Sequence, residues 1–599
     1  MALGDDLPYF DDNIPCLAAC PVHTNAGMYV AAIADGDDEK AYLTARLPNP
    51  FASVCGRVCA APCEDACRRG QIDEPIAIRA LKRFVTEQFG TETGDRRVWE
   101  QVAAPPSVEL AQSIGIVGGG PAGMACAHDL RRLGYRVTVY EATEKLGGAM
   151  WLGIPEYRLD RDVLARDIQA ILDLGVDVEY ETKLGEHITL AELRDRHDAV
   201  FLSIGATLGR GLDIDGAEAD GVFKAIEFLI NMNRGFEVEI GERVIVIGGG
   251  DVAMDAARTA LRAADYSAKR GGDDAIEDAV GPDERSLMTE ALDVARSAAR
   301  AGAREILVTS LESRDEMPAH DFEIEEAEEE GIRFASRRGP QRILVDEGKV
   351  VGLETVGVTR VFDEDGRFGP EFDPTDLKNF EADTVILAIG QAIDVEALGD
   401  AGPEIGPRRN IQVDDPTGRT SLPDVWAGGD AAKGPRTLID AVADGRRAAA
   451  DIHTSFGGVL EESKPGKMVR FDWHRLEDHY DRETRVSVPT LETGRRTGLA
   501  EVETGFTPDQ ARCEANRCLR CFANILLDTE RCVLCALCSD VCPLDLISLV
   551  PSEEVDPDHA GGTALLLDET ACIRCGLCIE RCPPDALTMG VWSGIGVPA

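Results

Sequence analysis

Short apolar runs that end on glycine recur along this chain, and the residues beyond each run differ. At 114–117 (IGIV) and 244–247 (VIVI) the run meets a glycine cluster and then an apolar spacing of three and four. The full stretches read SIGIVGGGPAGMACAHDLRRLGYRVTVYEA and RVIVIGGGDVAMDAARTALR. An apolar run bounded by glycine predicts a buried strand, and the spacing after it predicts a helix. The first stretch adds another strand at 137–140, followed by Glu141. The second helical pattern breaks off near 264 and resumes in SLMTEALDVARSAARAGAREILV, so 264–299 reads as an insertion, acidic and rich in Gly and Asp. Two further runs, AVFLSIGATLGR around Gly205 and TVILAIGQAID around Gly390, end on a single glycine.

Helical spacing also marks MYVAAIADGDDEKAYLTARLPNP (28–50) and IAIRALKRFVTEQF (76–89). In EVETGFTPDQARCEANRCLRC (501–521), Thr507, Pro508 and Gln510 fit N-cap, N1 and N3 of one more helix. The last part of the chain repeats itself: ILLDTERCVLCALCSDVCP returns as LLLDETACIRCGLCIERCP at an offset of 40.

The glycine clusters have a chemical reading. Gly118, Gly120 and Gly123 permit a sharp turn, bring backbone N–H groups against a pyrophosphate, and let the helix pack closely on the strand. Glu141, 23 residues after Gly118, is placed to accept a hydrogen bond from a ribose 2′-OH. Alone, such glycines often mark just a turn; strand, helix, second strand and acid together point to dinucleotide binding. Gly248, Gly250 and Ala253 repeat the arrangement, since alanine also allows close packing. No C-x2-C lies within 109–455, so this part lacks a redox disulfide, and Cys126 reads as a small buried residue.

Composition changes this picture at two points. The first is charge: 62 basic against 108 acidic residues give −46, which argues against nucleic acid or an anionic membrane as partner. The charge is spread along the chain, with 51 Arg and 11 Lys, and reads as an acidic proteome rather than as an acidic docking face. No apolar run approaches the roughly 20 residues that span a bilayer, and MALGDDLPYFDD lacks the features of a secretory signal. A cytoplasmic location is expected. At 599 residues, several domains are expected.

The second is cysteine: seventeen of eighteen lie in two terminal regions. In a cytosolic chain, clustered cysteines bind metal or do redox chemistry. Each half of the terminal repeat reads C-x2-C-x2-C-x3-C-P, in which the fourth cysteine serves the other cluster. Cys532, Cys535, Cys538 and Cys582 would then hold one [4Fe–4S] cluster, and Cys572, Cys575, Cys578 and Cys542 the other; zinc is the alternative. Near the start, Cys16, Cys20, Cys55, Cys59, Cys63 and Cys67 fall within 52 residues, which favours iron–sulfur ligation over thiols on a helix face.

The segments CPVHTN, NPFASVCGRVC, PCEDAC and DEPIAIRALKRF, with the flavin-type motif after them, resemble the small subunit of glutamate synthase and the amino-terminal part of dihydropyrimidine dehydrogenase. The terminal repeat is similar to bacterial two-cluster ferredoxins. The two resemblances span 1–455 and 522–599. They imply an α/β chain with two nested Rossmann-like dinucleotide-binding domains, a helical iron–sulfur domain before them and a ferredoxin-like α+β domain after them. The expected units are a helical domain at 1–108, an FAD domain at 109–235 and 376–455, and an NAD(P) domain at 236–375 with its insertion. A linker and cysteine-bearing helix at 456–521 and the ferredoxin domain at 522–599 complete the chain.

The resemblance further implies residue roles. KLGGAMWLGIPEYRL, with Gly148 and Arg158, would contact flavin, and Gly429 and Asp430 in LPDVWAGGDAAKG would form the second flavin motif, the aspartate on the ribityl chain. The second glycine turn takes the nicotinamide, which leaves FAD to the first. Members that use NADPH place two arginines after the following strand; here stand Leu311 and Glu312, so NADH is expected over NADPH, with Arg314 as the nearby cation. One amino-terminal cluster should have a C-x2-C pair upstream of Cys16, and none exists. Cys518 and Cys521 are expected to fold back and complete it with Cys16 and Cys67. The other would use Cys20, Cys59 and Cys63, but its fourth ligand aligns with Lys82, whose ammonium cannot ligate iron. Cys55 is the nearest substitute and a structural thiol the alternative, so one or two clusters are expected here.

A nicotinamide moves two electrons at once, an iron–sulfur cluster one, and a flavin does both. The chain is therefore expected to be an NAD(P)H-dependent FAD and iron–sulfur oxidoreductase. It would serve as the diaphorase subunit of a hetero-oligomer, exchanging electrons with a ferredoxin or a ferredoxin-dependent enzyme such as a 2-oxoacid oxidoreductase. The alternatives are a glutamate synthase small subunit and an electron-transfer scaffold with a regulatory nicotinamide site.

Overall fold

The computed structural model describes residues 13–592 except 237, 264–302, 400–401, 461–467, 471–481, 497 and 559–560. The expected insertion at 264–299 and the first twelve residues lie outside the described residues. Two five-stranded parallel sheets form the centre of the molecule. The first runs Val425–Ala427, Ala199–Leu202, Ser113–Val117, Arg136–Tyr140, Asp177–Glu179. Its three inner strands are apolar on both faces because helices cover both, as a parallel sheet requires. Pro121–Arg132 and Leu438–Ser455 pack together on it, so closely that a Cβ on Gly445 would meet the carbonyl of Ala122.

The second sheet runs Val222–Lys224, Thr384–Leu387, Arg243–Ile247, Glu305–Thr309, Arg333–Ala335. This corrects the expected boundaries at 235/236 and 375/376: Val222–Lys224 and Thr384–Leu387 both belong to the nicotinamide-type domain. The chain crosses between domains at Leu208–Gly209 and Gln391–Ala392, which pair antiparallel. The physical reason is that AVFL and TVIL are equivalent as sequence. A strand buried on both faces carries no mark of which sheet it completes. A three-stranded antiparallel sheet, Arg338–Asp346, Lys349–Phe362 and Phe368–Glu381, extends the second domain.

The amino-terminal region is helical: Ala26–Asp35, Asp38–Arg46, Ala52–Val58 and Ile78–Phe89 surround an apolar core. The helix Pro508–Asn516 packs against Ala26–Asp35 and Ile78–Phe89, although over 400 residues separate it from them in sequence. Its capping box is the expected one, with the Thr507 side chain accepting from the Gln510 amide and Gln510 closing back on Thr507. The last module carries the short helices Leu537–Val541 and Leu577–Glu580 and the paired strands Ile547–Pro551 and Thr563–Leu567. Asn524–Leu527 and Leu587–Trp592 pair beside them. Among the described residues, no helix is long and apolar enough to cross a membrane.

Candidate redox site and its thiol clusters

At the first glycine turn, Gly118 holds φ +98, and a Cβ there would lie 2.4 Å from the Ser203 carbonyl. A Cβ on Gly123 would strike the Gly118 carbonyl, so both positions are closed to larger residues. Gly148 faces Gly120 across the turn, its φ +50 and its absent Cβ bringing the two backbones together. Glu141 is buried at the end of Arg136–Tyr140; its carboxylate accepts from the Gly119 amide (2.8 Å) and from Thr143 N (2.9 Å). The acid therefore lies against the glycine turn, where a ribose hydroxyl beside the pyrophosphate would reach it. Gly205, at φ +69, follows the adjacent strand Ala199–Leu202.

Gly429 (φ +63) donates its N–H to Asp444 (3.0 Å) and starts the one-turn helix Asp430–Lys433. Burial pushes the Asp430 carboxyl up to about 6, and near neutral pH it enters the site as a carboxylate that accepts hydrogen bonds.

The second turn copies the first with different partners. Gly248 sits at φ +147, where a Cβ would meet the Ala388 carbonyl at 2.3 Å. Gly250 is N-cap to Asp251–Leu261, and Ala253 is buried against the sheet. Glu312 lies 3.0 Å from where a Cβ on Gly249 would be, as Glu141 does at Gly119, so the two acids hold equivalent places. Gly390 (φ +109) follows the neighbouring strand. The cations around Glu312 are already engaged: Arg314 with Asp321 (3.2 Å) and Glu328, and Arg337 with Glu316 (2.6 Å).

Arg158 is engaged across the two domains. Its guanidinium is clamped by both oxygens of Asp255 (2.8 Å each) and by Glu323, residues of the nicotinamide-type domain. It ties the two domains together. A guanidinium this buried goes to the nearest carboxylates, and these came from a domain that the local motif does not contain.

The thiols gather as four groups, and all eighteen cysteines are unpaired by disulfides. One cavity is lined by Cys542, Cys572, Cys575 and Cys578, another by Cys532, Cys535, Cys538 and Cys582. A third is lined by Cys16, Cys67, Cys518 and Cys521. Among the described residues, no three His, Cys, Asp or Glu side chains converge as they would on one metal ion; each thiol set surrounds a space instead. Burial first, and then Cys521, Cys518 and Cys67, push the Cys16 thiol well up. The fourth group is Cys20, Cys55, Cys59 and Cys63 around the buried Lys82.

Arg68 and Arg574 pull the Cys521 thiol down, against the larger effect of burial. Sequence reasoning missed both, although each adjoins a cluster cysteine, Arg68 after Cys67 and Arg574 before Cys575. Cys521 also feels Cys572, and Arg68 donates to the Cys572 carbonyl (3.5 Å), so the third cavity abuts the first. Cys126 is fully buried, a packing residue as expected.

Comparisons with known proteins agree with this layout. Residues 112–445 match the pyridine nucleotide-disulphide oxidoreductase family, residues 11–93 match dihydropyrimidine dehydrogenase domain II with its 4Fe–4S cluster, and residues 531–586 match a 4Fe–4S dicluster domain. The NADP(+)-dependent formate dehydrogenase subunit beta of Moorella thermoacetica is 35% identical over 85% of this chain and 70% of its own. The NADPH–Fe(3+) oxidoreductase subunit beta of Geobacter sulfurreducens is 34% identical over 85% and 75%. The NAD-dependent dihydropyrimidine dehydrogenase subunit PreT of Escherichia coli K12 is 30% identical over 74% and 92%.

Proposed function

The chain belongs to the pyridine nucleotide-disulphide oxidoreductase family, and within it we propose an NADH-linked FAD and iron–sulfur diaphorase subunit that carries electrons to or from a partner. The family, the cluster domains and the oxidoreductase activity are common ground with its relatives. The particular choices of NADH, four clusters and a ferredoxin-type partner are our reading. Bound at the Gly118 turn, FAD would exchange a hydride with the nicotinamide and single electrons with the clusters.

The chain's own residues do the rest. Glu141 and Gly119 form the ribose and pyrophosphate corner, Asp430 closes the site from the other side, and Glu312 receives the second ribose. One observation carries the reading: the thiol groups lie in series. Cys20, Cys55 and Cys59 are packed into the core of the FAD domain. Cys16, Cys67, Cys518 and Cys521 come next, and that cavity abuts the Cys572 set. Cys535, of the outermost set, is exposed. Such a sequence supports passage of single electrons from the flavin domain to the surface, in place of the disulfide this chain lacks. Relatives named as subunits support a hetero-oligomer.

Glu312 supports NADH, because a carboxylate accepts a free 2′-OH and repels a 2′-phosphate. The measurement is anaerobic reduction of the flavin by NADH and NADPH, followed by turnover of a ferredoxin or a 2-oxoacid oxidoreductase with and without this chain. NADH is expected to give at least a tenfold higher kcat/KM, roughly the 1.4 kcal/mol of one misplaced charge. Glu312→Gln is expected to narrow that gap. Equal kcat/KM for the two nucleotides overturns the choice of NADH.

A further inference from the structure

A buried polar network joins the amino-terminal thiol cavity to the inner cavity of the last module. Arg68 lines the cavity of Cys16, Cys67, Cys518 and Cys521. Its Nη2 donates to the backbone oxygen (2.9 Å) and the side-chain oxygen (2.7 Å) of Asn13. Its Nη1 donates to the carbonyl of Cys572 (3.5 Å), a residue that lines the next cavity. The Asn13 side-chain amide donates to Glu569 (2.5 Å), and the same carboxylate oxygen accepts from Arg574 (2.8 Å). Arg574 also reaches Asn524 (3.5 Å). All five side chains are buried, none above 7% exposure.

The charges of this network do not cancel. It holds two guanidiniums, which keep their protons in any protein, against the single carboxylate of Glu569. Arg574 pairs with that carboxylate; among the described residues, Arg68 forms no ion pair with any acid. Three N–H groups, Nε of Arg68 and Nε and Nη1 of Arg574, are buried without a hydrogen-bond partner. A buried cation beside open donors is costly unless an anion with several acceptors fills the adjoining space. Four thiols ring that space on the side of Arg68, and a thiolate-ligated iron–sulfur cluster is such an anion.

We propose that Arg68 and Arg574 keep one net positive charge between the amino-terminal cluster of Cys16, Cys67, Cys518 and Cys521 and the inner ferredoxin cluster. Through it, Arg68 raises the potential of the first. This rests on reading those thiols as cluster ligands. Arg68 is a positioning residue, which itself passes neither an electron nor a proton. An electron entering the cluster adds one negative charge, and a fixed cation beside it favours that entry. A guanidinium cannot shed its proton and cancel the effect, as an ammonium or imidazolium could.

The test is a redox titration of the full chain, prepared anaerobically with iron and FAD quantified, and followed by electron paramagnetic resonance. The signal of the amino-terminal cluster is identified as the one that Cys518→Ser with Cys521→Ser removes. Arg68→Gln removes the charge and is expected to keep the iron and lower the midpoint of that signal. Arg68→Lys keeps the charge and is expected to stay closer to the wild-type midpoint. Glu569→Gln leaves an acceptor for Asn13 and Arg574 but removes the negative charge, and is expected to raise the midpoint. Opposite shifts from two neutralising changes in one network follow from charge and not from a loosened fold.

An unmoved midpoint in Arg68→Gln with iron intact, or two shifts of the same sign, overturns the proposal and leaves the proposed function standing. So does an Arg68→Lys midpoint as low as that of Arg68→Gln. Should Arg68→Gln lose iron, Glu569→Gln decides: a raised midpoint supports the proposal, and an unmoved or lowered one overturns it. About eight irons in the wild type, or a full set of signals in Cys518→Ser with Cys521→Ser, would overturn the proposal together with the reading beneath it.

Discussion

The two cysteine-rich ends of this molecule reach the same chemistry by opposite routes. The carboxy-terminal module takes its eight thiols from 51 consecutive residues, 532–582, and places them with two short helices and a hairpin. The amino-terminal region gathers Cys16 and Cys67 with Cys518 and Cys521, from opposite ends of the sequence. Local spacing builds the first site. Ion pairs and packing build the second: Arg512 with Asp38 (2.7 Å), Arg520 with Asp35 (2.6 Å), and Arg517 with Glu514 (2.7 Å) and Asp73 (2.8 Å). Ligand sets encoded by spacing tolerate change elsewhere in the chain, whereas those assembled by tertiary contacts depend on every contact that holds the segments together.

Removing thiols from each end is the largest test of that contrast. Cys532→Ser with Cys535→Ser is expected to remove about four irons and leave the rest of the molecule intact. Cys518→Ser with Cys521→Ser is expected to remove about four as well, and in addition to loosen the helix Pro508–Asn516, because a cluster bridging distant segments also fastens them. Iron analysis and limited proteolysis within 482–521 report the two effects. Equal resistance to proteolysis in both variants would erase the distinction; unchanged iron in the second would remove Cys518 and Cys521 from the ligand set.

A smaller effect is expected from the buried ion pairs alone. Arg517 and Glu514 are fully buried, and Glu514 also accepts from the Ala77 amide (2.9 Å) and the Val486 amide (2.8 Å). Arg517→Ala leaves the buried Glu514 without its cation, while Asp73 keeps Arg69, and a broken buried pair costs about 3–5 kcal/mol. The expected result is a lower denaturation midpoint for the amino-terminal clusters, seen as earlier bleaching in urea, while the ferredoxin module keeps its own. Arg512→Ala, at a half-exposed pair, is expected to cost about 1 kcal/mol or less. Equal costs would mean that burial does not set the strength of this seam.

How much was legible in the sequence divides along the same line. The two glycine turns, the cross-paired ferredoxin thiols and the Thr507 capping box were legible because each depends on residues within a few positions of one another. The fold-back of Cys518 and Cys521 was legible only by elimination, from a pair absent before Cys16 and present after Asn516. The strands Val222–Lys224 and Thr384–Leu387 were assigned to the wrong domain, since a doubly buried strand looks alike in either sheet. The ion pairs of Arg158 were not legible, because Asp255 and Glu323 stand about 100 and 165 residues away in a domain that no local pattern links to it. Lys82 was legible as an unsuitable ligand, and only the packing of Gly56 on Arg83 reveals that its charge is kept inside.

The seam between the amino-terminal helices and the FAD domain is set apart by a pH dependence. Asp167, on Arg161–Leu172, is fully buried and accepts from Thr91 Oγ1 (2.6 Å) and the Val54 amide (3.2 Å). Burial pushes its carboxyl up to about 6, and Arg46 only partly offsets that. In the unfolded chain an aspartate titrates near 4, so between about pH 4 and pH 6 the folded state binds the extra proton. The contribution to stability is therefore complete below about pH 4 and is lost as the pH rises through 6. Asp167→Asn keeps an acceptor for Thr91 and cannot ionise, so its stability relative to the wild type is expected to rise across that window by about 1–3 kcal/mol. Urea midpoints at pH 4.5 and pH 7.5 measure it. A difference that does not change with pH would mean that Asp167 ionises normally, and that this seam, unlike the one around Arg517, holds no electrostatic strain.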